Sequence, residues 1–293
     1  MKVTKVAIIG VGLIGGSIGL ALKRNFKFKI LNSKSLTYRI IGIGRHIEKL
    51  KLAKKFGAID EFTTDFKSGV KDADIVVLAS TVDTIVPIFK NIAPYLKPGC
   101  IVTDAGSIKA GIVNRISKIL PKSVHFVGAH PLAGSEKTGV RFADSDLYKG
   151  AAIVITPLKN TPLASIKTIS GMWKKMGGRV IMLSPEVHDN LVARTSHLPH
   201  ILSAALTKIV NNINSKNKAA SKLLAGSFKD MTRITDSDSE NWAAICFGNM
   251  LELNKAINEY IEILKKVKVE LNSPKKLEVF FSESKKNRCQ LLQ

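Results

Sequence analysis

The stretch Gly128 to Gly139, GAHPLAGSEKTG, sets one histidine before a proline at the end of an apolar run. A polar turn with Ser135 and Glu136 follows. A neutral imidazole near pH 7 takes up a proton readily, so His130 is a candidate acid/base group. The TDAGSIK turn offers a second polar side chain, Ser107. Farther along, HLPH supplies His197 and His200, and DMTRI supplies Arg233, one turn after Asp230 and nine residues before Trp242. A guanidinium in a crevice suits a carboxylate ligand. His197 and His200 share a helical face, but no acidic or cysteine ligand completes a metal set, and no metal is expected. Core or capping histidines, with His200 turned to a substrate, are the readings kept.

Those residues need elements that present them. KVAIIG opens as an apolar strand, Val6 to Gly10, and Gly10, Gly12 and Gly15 then form a G-x-G-x-x-G run into a helix marked by Ile14, Ile18 and Leu22. In that strand–turn–helix context the glycines have a mechanism. Gly10 permits the turn, Gly12 lets a pyrophosphate approach the backbone, and Gly15 lets helix and strand pack closely. The amides that open the helix, around Leu13 and Ile14, are donors for an anion. YRIIGIGRH is the second strand. An acidic residue at its end would hold a ribose hydroxyl; Gly44 and Arg45 stand there instead, and a guanidinium suits a 2′-phosphate. NADP is therefore expected to be preferred, with NAD possible. The stretch KRNFKFKILNSKSL is read as an extended helix-to-strand loop.

Further strands are expected at Glu61–Thr64, ADIVVLAS, CIVTD, HFVGAHP, AAIVITP and RVIMLS, alternating with helices. This pattern predicts a doubly wound, mostly parallel α/β sheet, whose ligand lies beyond the carboxyl ends of the strands. The glycine run, Ser80, Ser107 and His130 all fall at such ends. From Pro185 the pattern turns helical, which divides the chain into a nucleotide-binding domain, 1–184, and an all-α domain, 185–293. In the latter, Leu191, Leu198, Ile201, Leu202, Ala205 and Ile209 share one face, and Pro199 should kink the helix. Met250, Leu253, Ile257, Tyr260, Leu264, Val267 and Leu271 form a heptad-like seam that points to a homodimer. The final residues read as a basic, partly mobile tail.

Composition narrows the classes. Of 293 residues 45 % are hydrophobic, enough for a sizeable core, and no apolar run is long enough to span a membrane. The apolar N-terminus runs into the glycine turn without a cleavage site, so it is read as a strand and not as a signal peptide. Three widely spaced cysteines suggest a reducing, cytoplasmic setting. The charge of +22 is spread along the chain and aromatics are only 6 %, so a solvated basic surface that attracts small anions fits better than nucleic-acid binding.

Taken together, GVGLIGGS, TDAGSIK, GAHPLAGSEKTG, HLPH and DMTRI…W, in that order from about Val3 to Leu271, resemble the prephenate/arogenate dehydrogenase family of tyrosine biosynthesis. The resemblance implies a Rossmann domain followed by a helical dimerisation domain. It also implies NAD(P)-dependent oxidative decarboxylation of a cyclohexadienol to 4-hydroxyphenylpyruvate or tyrosine. His130 matches the histidine that hydrogen-bonds the C4 hydroxyl, and Ser107 the serine that assists there. His200 and Arg233 match groups that hold the substrate's carboxylates and side chain; Glu136, beside Ser135, matches a residue that lines and gates the site. The Gly44-Arg45 pair departs from the family's acidic position, which puts NAD in doubt but not the chemistry. A β-hydroxyacid or 6-phosphogluconate-type dehydrogenase is the nearest rival reading, and a non-catalytic NADP-sensing regulator the more distant one.

Overall fold

The computed structural model describes residues 3–27 and 37–292. Its centre is an eight-stranded sheet in the order β3-β2-β1-β4-β5-β6-β7-β8. The strands are β1 (Val3–Ile9), β2 (Thr37–Ile43), β3 (Glu61–Thr63), β4 (Ile75–Leu78), β5 (Ile101–Asp104), β6 (His125–Pro131), β7 (Ala152–Pro157) and β8 (Arg179–Met182). All four residues of β4 are buried, as a strand covered on both faces requires. Every pairing is parallel except β6 with β7. The chain between β6 and β7 has no helical crossover, only a short 3₁₀ turn, Val140–Phe142, so β7 returns antiparallel and the polar loop after His130 stays at the strand ends.

Two apolar layers cover the sheet. One gathers Ile18 and Leu22 of α1 (Leu13–Lys27) with Trp173 of α6 (Leu163–Lys175). The other gathers Phe89 of α4 (Val82–Ile92) with Ile112 of α5 (Ala110–Ser117). Between the sheet's β1 and β4 the strand order reverses, and the glycine turn sits at that reversal, where open α/β sheets take their ligands. The remaining sheet-side helices are α2 (Ile47–Lys55), ended by Gly57 at φ +76°, and α3 (Phe66–Val70), capped by Asp65. α1 continues to Lys27; the rest of the expected long loop lies outside the described residues.

Beyond β8 the chain is helical. Ser184 caps α7 (Pro185–Val192) by accepting from the Val187 amide, with Pro185 at the first helical position. A π turn, Ala193–His197, joins α7 to α8 (Leu198–Lys216). Pro199, expected to kink this helical run, stands in the first turn of α8 directly after the π turn, where a missing amide donor is tolerated. Short helices α9 (Ala219–Lys222) and α10 (Gly226–Thr232) lead to α11 (Ser239–Gly248), capped by Asp238. Ile245 of α11, 2 % exposed, enters the α4/α5 layer and docks the helical segment on the sheet. Truncating a side chain so buried costs about 2–5 kcal/mol.

Within one chain α8 buries only Ser203, and Ile209 on its expected apolar face is exposed. The seam on α12 (Met250–Glu270) is covered at Leu253 but open at Met250 and Leu264, and at Leu271, which caps the helix. The C-terminal expectation needs correction. Residues Pro274–Leu291 form a regular helix, α13, begun by Pro274 at its first position and rich in good helix formers. No helix among the described residues is long and apolar enough to cross a membrane.

Candidate active site

The glycine turn follows from backbone geometry. Gly10 has φ +91°, and a Cβ there would lie 2.6 Å from the Ala79 carbonyl oxygen. A Cβ on Gly15 would collide with the Gly10 carbonyl. Gly12, in contrast, faces open space. Gly10 and Gly15 therefore shape the turn from behind, while Gly12, Leu13 and Ile14 border the cleft. The Tyr148 hydroxyl donates to the Ile14 carbonyl at 2.7 Å and fixes that first helical turn. Beside it, just past the end of β4, Ser80 Oγ is buried without a hydrogen-bond partner among the described residues. Free helix amides, an open backbone at Gly12 and an orphaned hydroxyl fit a dinucleotide pyrophosphate.

Arg45 is not part of the cleft wall. It is exposed just past β2, one strand from the glycine turn, where the Gly10 amide bonds the Ile43 carbonyl at 3.0 Å. β2 ends at Ile43, before the expected GRH segment, so His46 becomes the residue preceding α2.

The cleft measures about 980 Å³. Ser107, His130, Ser135 and Glu136 border it from the sheet side; His200 and Arg233 border it from the helical side. His130 lies on β6, 8 % exposed. Burial, together with the neighbouring His188, Lys109 and His197, holds its pKa well below 6.5, so near neutral pH it is an uncharged base. His130 Nδ1 stands 2.8 Å from His188 Nε2. His188 Nδ1 in turn stands 2.7 Å from Asp189 Oδ1.

His200 and Trp242 stack with ring centroids 3.3 Å apart, and His200 Nδ1 donates to the Ser196 carbonyl at 3.0 Å. His197, only three residues away, points into the core, where Asn249 Nδ2 lies 3.1 Å from its Nδ1. The π turn separates the two imidazoles expected on one face. Among the described residues no three His, Cys, Asp or Glu side chains converge as metal ligands.

Sequence reasoning passed over the groups behind the cleft. Lys109 is fully buried, pairs with Asp104 and donates to the Ala129 carbonyl at 2.8 Å. Asp104 also accepts from the Gly106 and Ala129 amides. This arrangement ties the Ser107 turn to the strand that carries His130. It also commits Lys109 to the core, away from any acid/base duty in the cleft. The signal for it was a lysine in an otherwise apolar stretch.

Two family models match the chain: "Prephenate dehydrogenase, nucleotide-binding domain" over residues 28–182, and "Prephenate dehydrogenase, dimerization domain" over 184–282. The chain belongs to the prephenate dehydrogenase family. As a member of it, the protein is an NAD(P)-dependent oxidoreductase of the prephenate/arogenate dehydrogenase class. It is 32 % identical to a prephenate dehydrogenase of Bacillus subtilis, over 97 % of this chain and 75 % of that protein. A cyclohexadienyl dehydrogenase of Zymomonas mobilis is likewise 32 % identical, over 98 % and 95 %. The crystal structure of prephenate dehydrogenase from Aquifex aeolicus, in complex with hydroxyphenyl propionate and NAD+, superposes with a TM-score of 0.90 at 33 % identity, covering 99 % of both chains.

Proposed function

We propose that this cleft converts prephenate, or its amino counterpart arogenate, by oxidative decarboxylation, with NADP preferred to NAD. One observation carries the reading. His130 from the sheet and Arg233 from the helical segment border a single cleft that also receives the first turn of α1. A base, a cation and an anion-binding helix end then converge on one volume suited to a small acid and a dinucleotide.

Gly12, Leu13 and Ile14 would hold the pyrophosphate through backbone amides, Gly10 and Gly15 keeping the turn tight, and Ser80 would give it a hydroxyl. Arg45, exposed beyond β2, would meet a 2′-phosphate. The bound nicotinamide supplies the acceptor for the hydride on C4. His130 takes the C4 hydroxyl proton at Nε2 while Ser107 hydrogen-bonds the same oxygen. Loss of the ring carboxylate as carbon dioxide sends an electron pair through the ring to that oxygen, which then recovers the proton from His130. Proton and charge balance, and the aromatic product makes the step strongly downhill. Arg233 and His200 hold the carboxylates and side chain, with Ser135 and Glu136 lining the entrance.

We further assign 1–184 to cofactor binding and 185–293 to substrate closure and homodimer formation. The open apolar positions on α8 and α12 support the second assignment. The test is steady-state turnover with prephenate and arogenate, each with NADP+ and NAD+, followed by the absorbance of the reduced cofactor. Turnover with one of the two acids is expected. Inactivity of well-folded protein toward both would refute the reading.

A further inference from the structure

Behind His130 stands a buried chain of side chains that the proposed chemistry does not itself require. His188, one turn into α7, is fully buried, and Asp189 beside it is nearly so. Asp189 is held as a carboxylate acceptor. Its Oδ1 receives the Lys109 amide at 2.7 Å and its Oδ2 the Ala110 amide at 2.8 Å. An acceptor can only receive from His188 Nδ1, so that nitrogen carries the proton. With one proton on each ring, His188 Nε2 is then bare and must accept from His130 Nδ1. That leaves the lone pair of His130 on Nε2.

We propose that His188 and Asp189 are positioning residues: together they fix His130 in the tautomer whose unprotonated nitrogen is Nε2. The proposal rests on the reading of His130 as the base. It adds what makes that base competent, since the opposite tautomer would present an N–H to a hydroxyl that must lose its proton. The same carboxylate caps the first amides of α5, directly after the Ser107 turn. One side chain thereby registers both groups assigned to the C4 hydroxyl. A ring in place of a direct carboxylate contact also spans the distance from β6 to α7, 58 residues apart in the chain. The charged and titratable groups around His130 are His188 from α7, Lys109 with its partner Asp104 before α5, and His197 from the π turn. None of these others bonds the His130 ring in the structure.

The experiment uses the full-length protein with ¹⁵N-labelled histidine, of which the chain has six. Long-range ¹H–¹⁵N spectra read the tautomer of each ring without turnover, so the geometry is judged independently of the substrate assignment. In the wild type His130 should show a protonated Nδ1 and a bare Nε2. His188→Ala should mix the two tautomers and lower kcat by roughly 100-fold or more, with KM within a few-fold. His188→Gln, whose amide oxygen can still accept from Nδ1, should restore the tautomer and a large part of kcat. A wild-type His130 protonated at Nε2, or a His188→Ala protein with tautomer and kcat unchanged, overturns the proposal. So does a fall in kcat with the tautomer intact, since the loss would then come from packing. If His188→Ala fails to fold, the wild-type spectrum and the glutamine variant decide.

Discussion

Arg233 Nη1 lies 3.5 Å from Glu136 Oε2, joining the helical segment to the loop after β6 across the mouth of the cleft. The guanidinium is mostly exposed and the pair is long, so it is a loose contact that an incoming carboxylate can replace. Arg233 is thus held near the cleft without being committed to a protein partner.

The first prediction follows from that looseness. Arg233→Met should raise KM for the acid substrate about 10–100-fold, the usual worth of a charge-assisted hydrogen bond, with a smaller effect on kcat. Initial-rate kinetics at saturating cofactor checks it; an unchanged KM would remove Arg233 from the binding role.

The second concerns the base. His130→Asn should lower kcat by about 10²–10⁴-fold while cofactor affinity is retained. In the wild type, burial first, then the neighbouring His188, Lys109 and His197, depress the imidazole's pKa, and a histidine in the proposed role of base works only when deprotonated. The acid limb of log kcat/KM due to this group should therefore fall below pH 6.5, with no loss on going from pH 8 to 6.5. A limb centred at or above 6.5 that vanishes in His130→Asn would contradict the burial argument.

Cofactor choice gives the third. Arg45→Asp should shift the ratio of kcat/KM for NADP+ over NAD+ toward NAD+ by about 10–100-fold, since a carboxylate repels the 2′-phosphate and accepts from the ribose hydroxyl. An unaltered ratio would mean that the exposed guanidinium stays in solvent.

The fourth is a stability prediction. Burial lowers the His197 pKa from 6.5 to about 4, despite the opposing pull of Asp189. The unfolded chain therefore binds a proton in this window that the folded chain refuses, and stability falls as pH drops from 6.5 toward 4. Fully expressed, the contribution is on the order of 3 kcal/mol. Thermal midpoints measured across that range should decline less steeply in His197→Gln than in the wild type. Parallel profiles would assign the acid sensitivity to other groups.

Parts of this protein can be read from neighbouring residues alone. The helix after Gly10 and the strand at Ile75–Leu78 announce themselves through spacing and apolar runs, because those patterns reflect the period of the element itself. The helix at Pro274–Leu291 also carried a local signal, Ser273-Pro274 followed by strong helix formers, but its charge suggested a tail. His188 and Asp189 gave only a faint one, a polar pair one turn into a capped helix.

By itself the amino-acid order determined that a glycine turn opens a helix after the first strand, that strands alternate with helices as far as β6, and that His130 falls at a strand end. These are properties of short stretches, set by backbone freedom and side-chain period. Only the tertiary structure decided that β7 returns antiparallel, that Lys109 is sealed against Asp104, that His197 turns inward while His200 faces the cleft, and that His188 stands behind His130. The reason is physical. A buried polar group must find a partner or lose several kcal/mol, and which partner it finds depends on which surfaces the two halves of the chain press together.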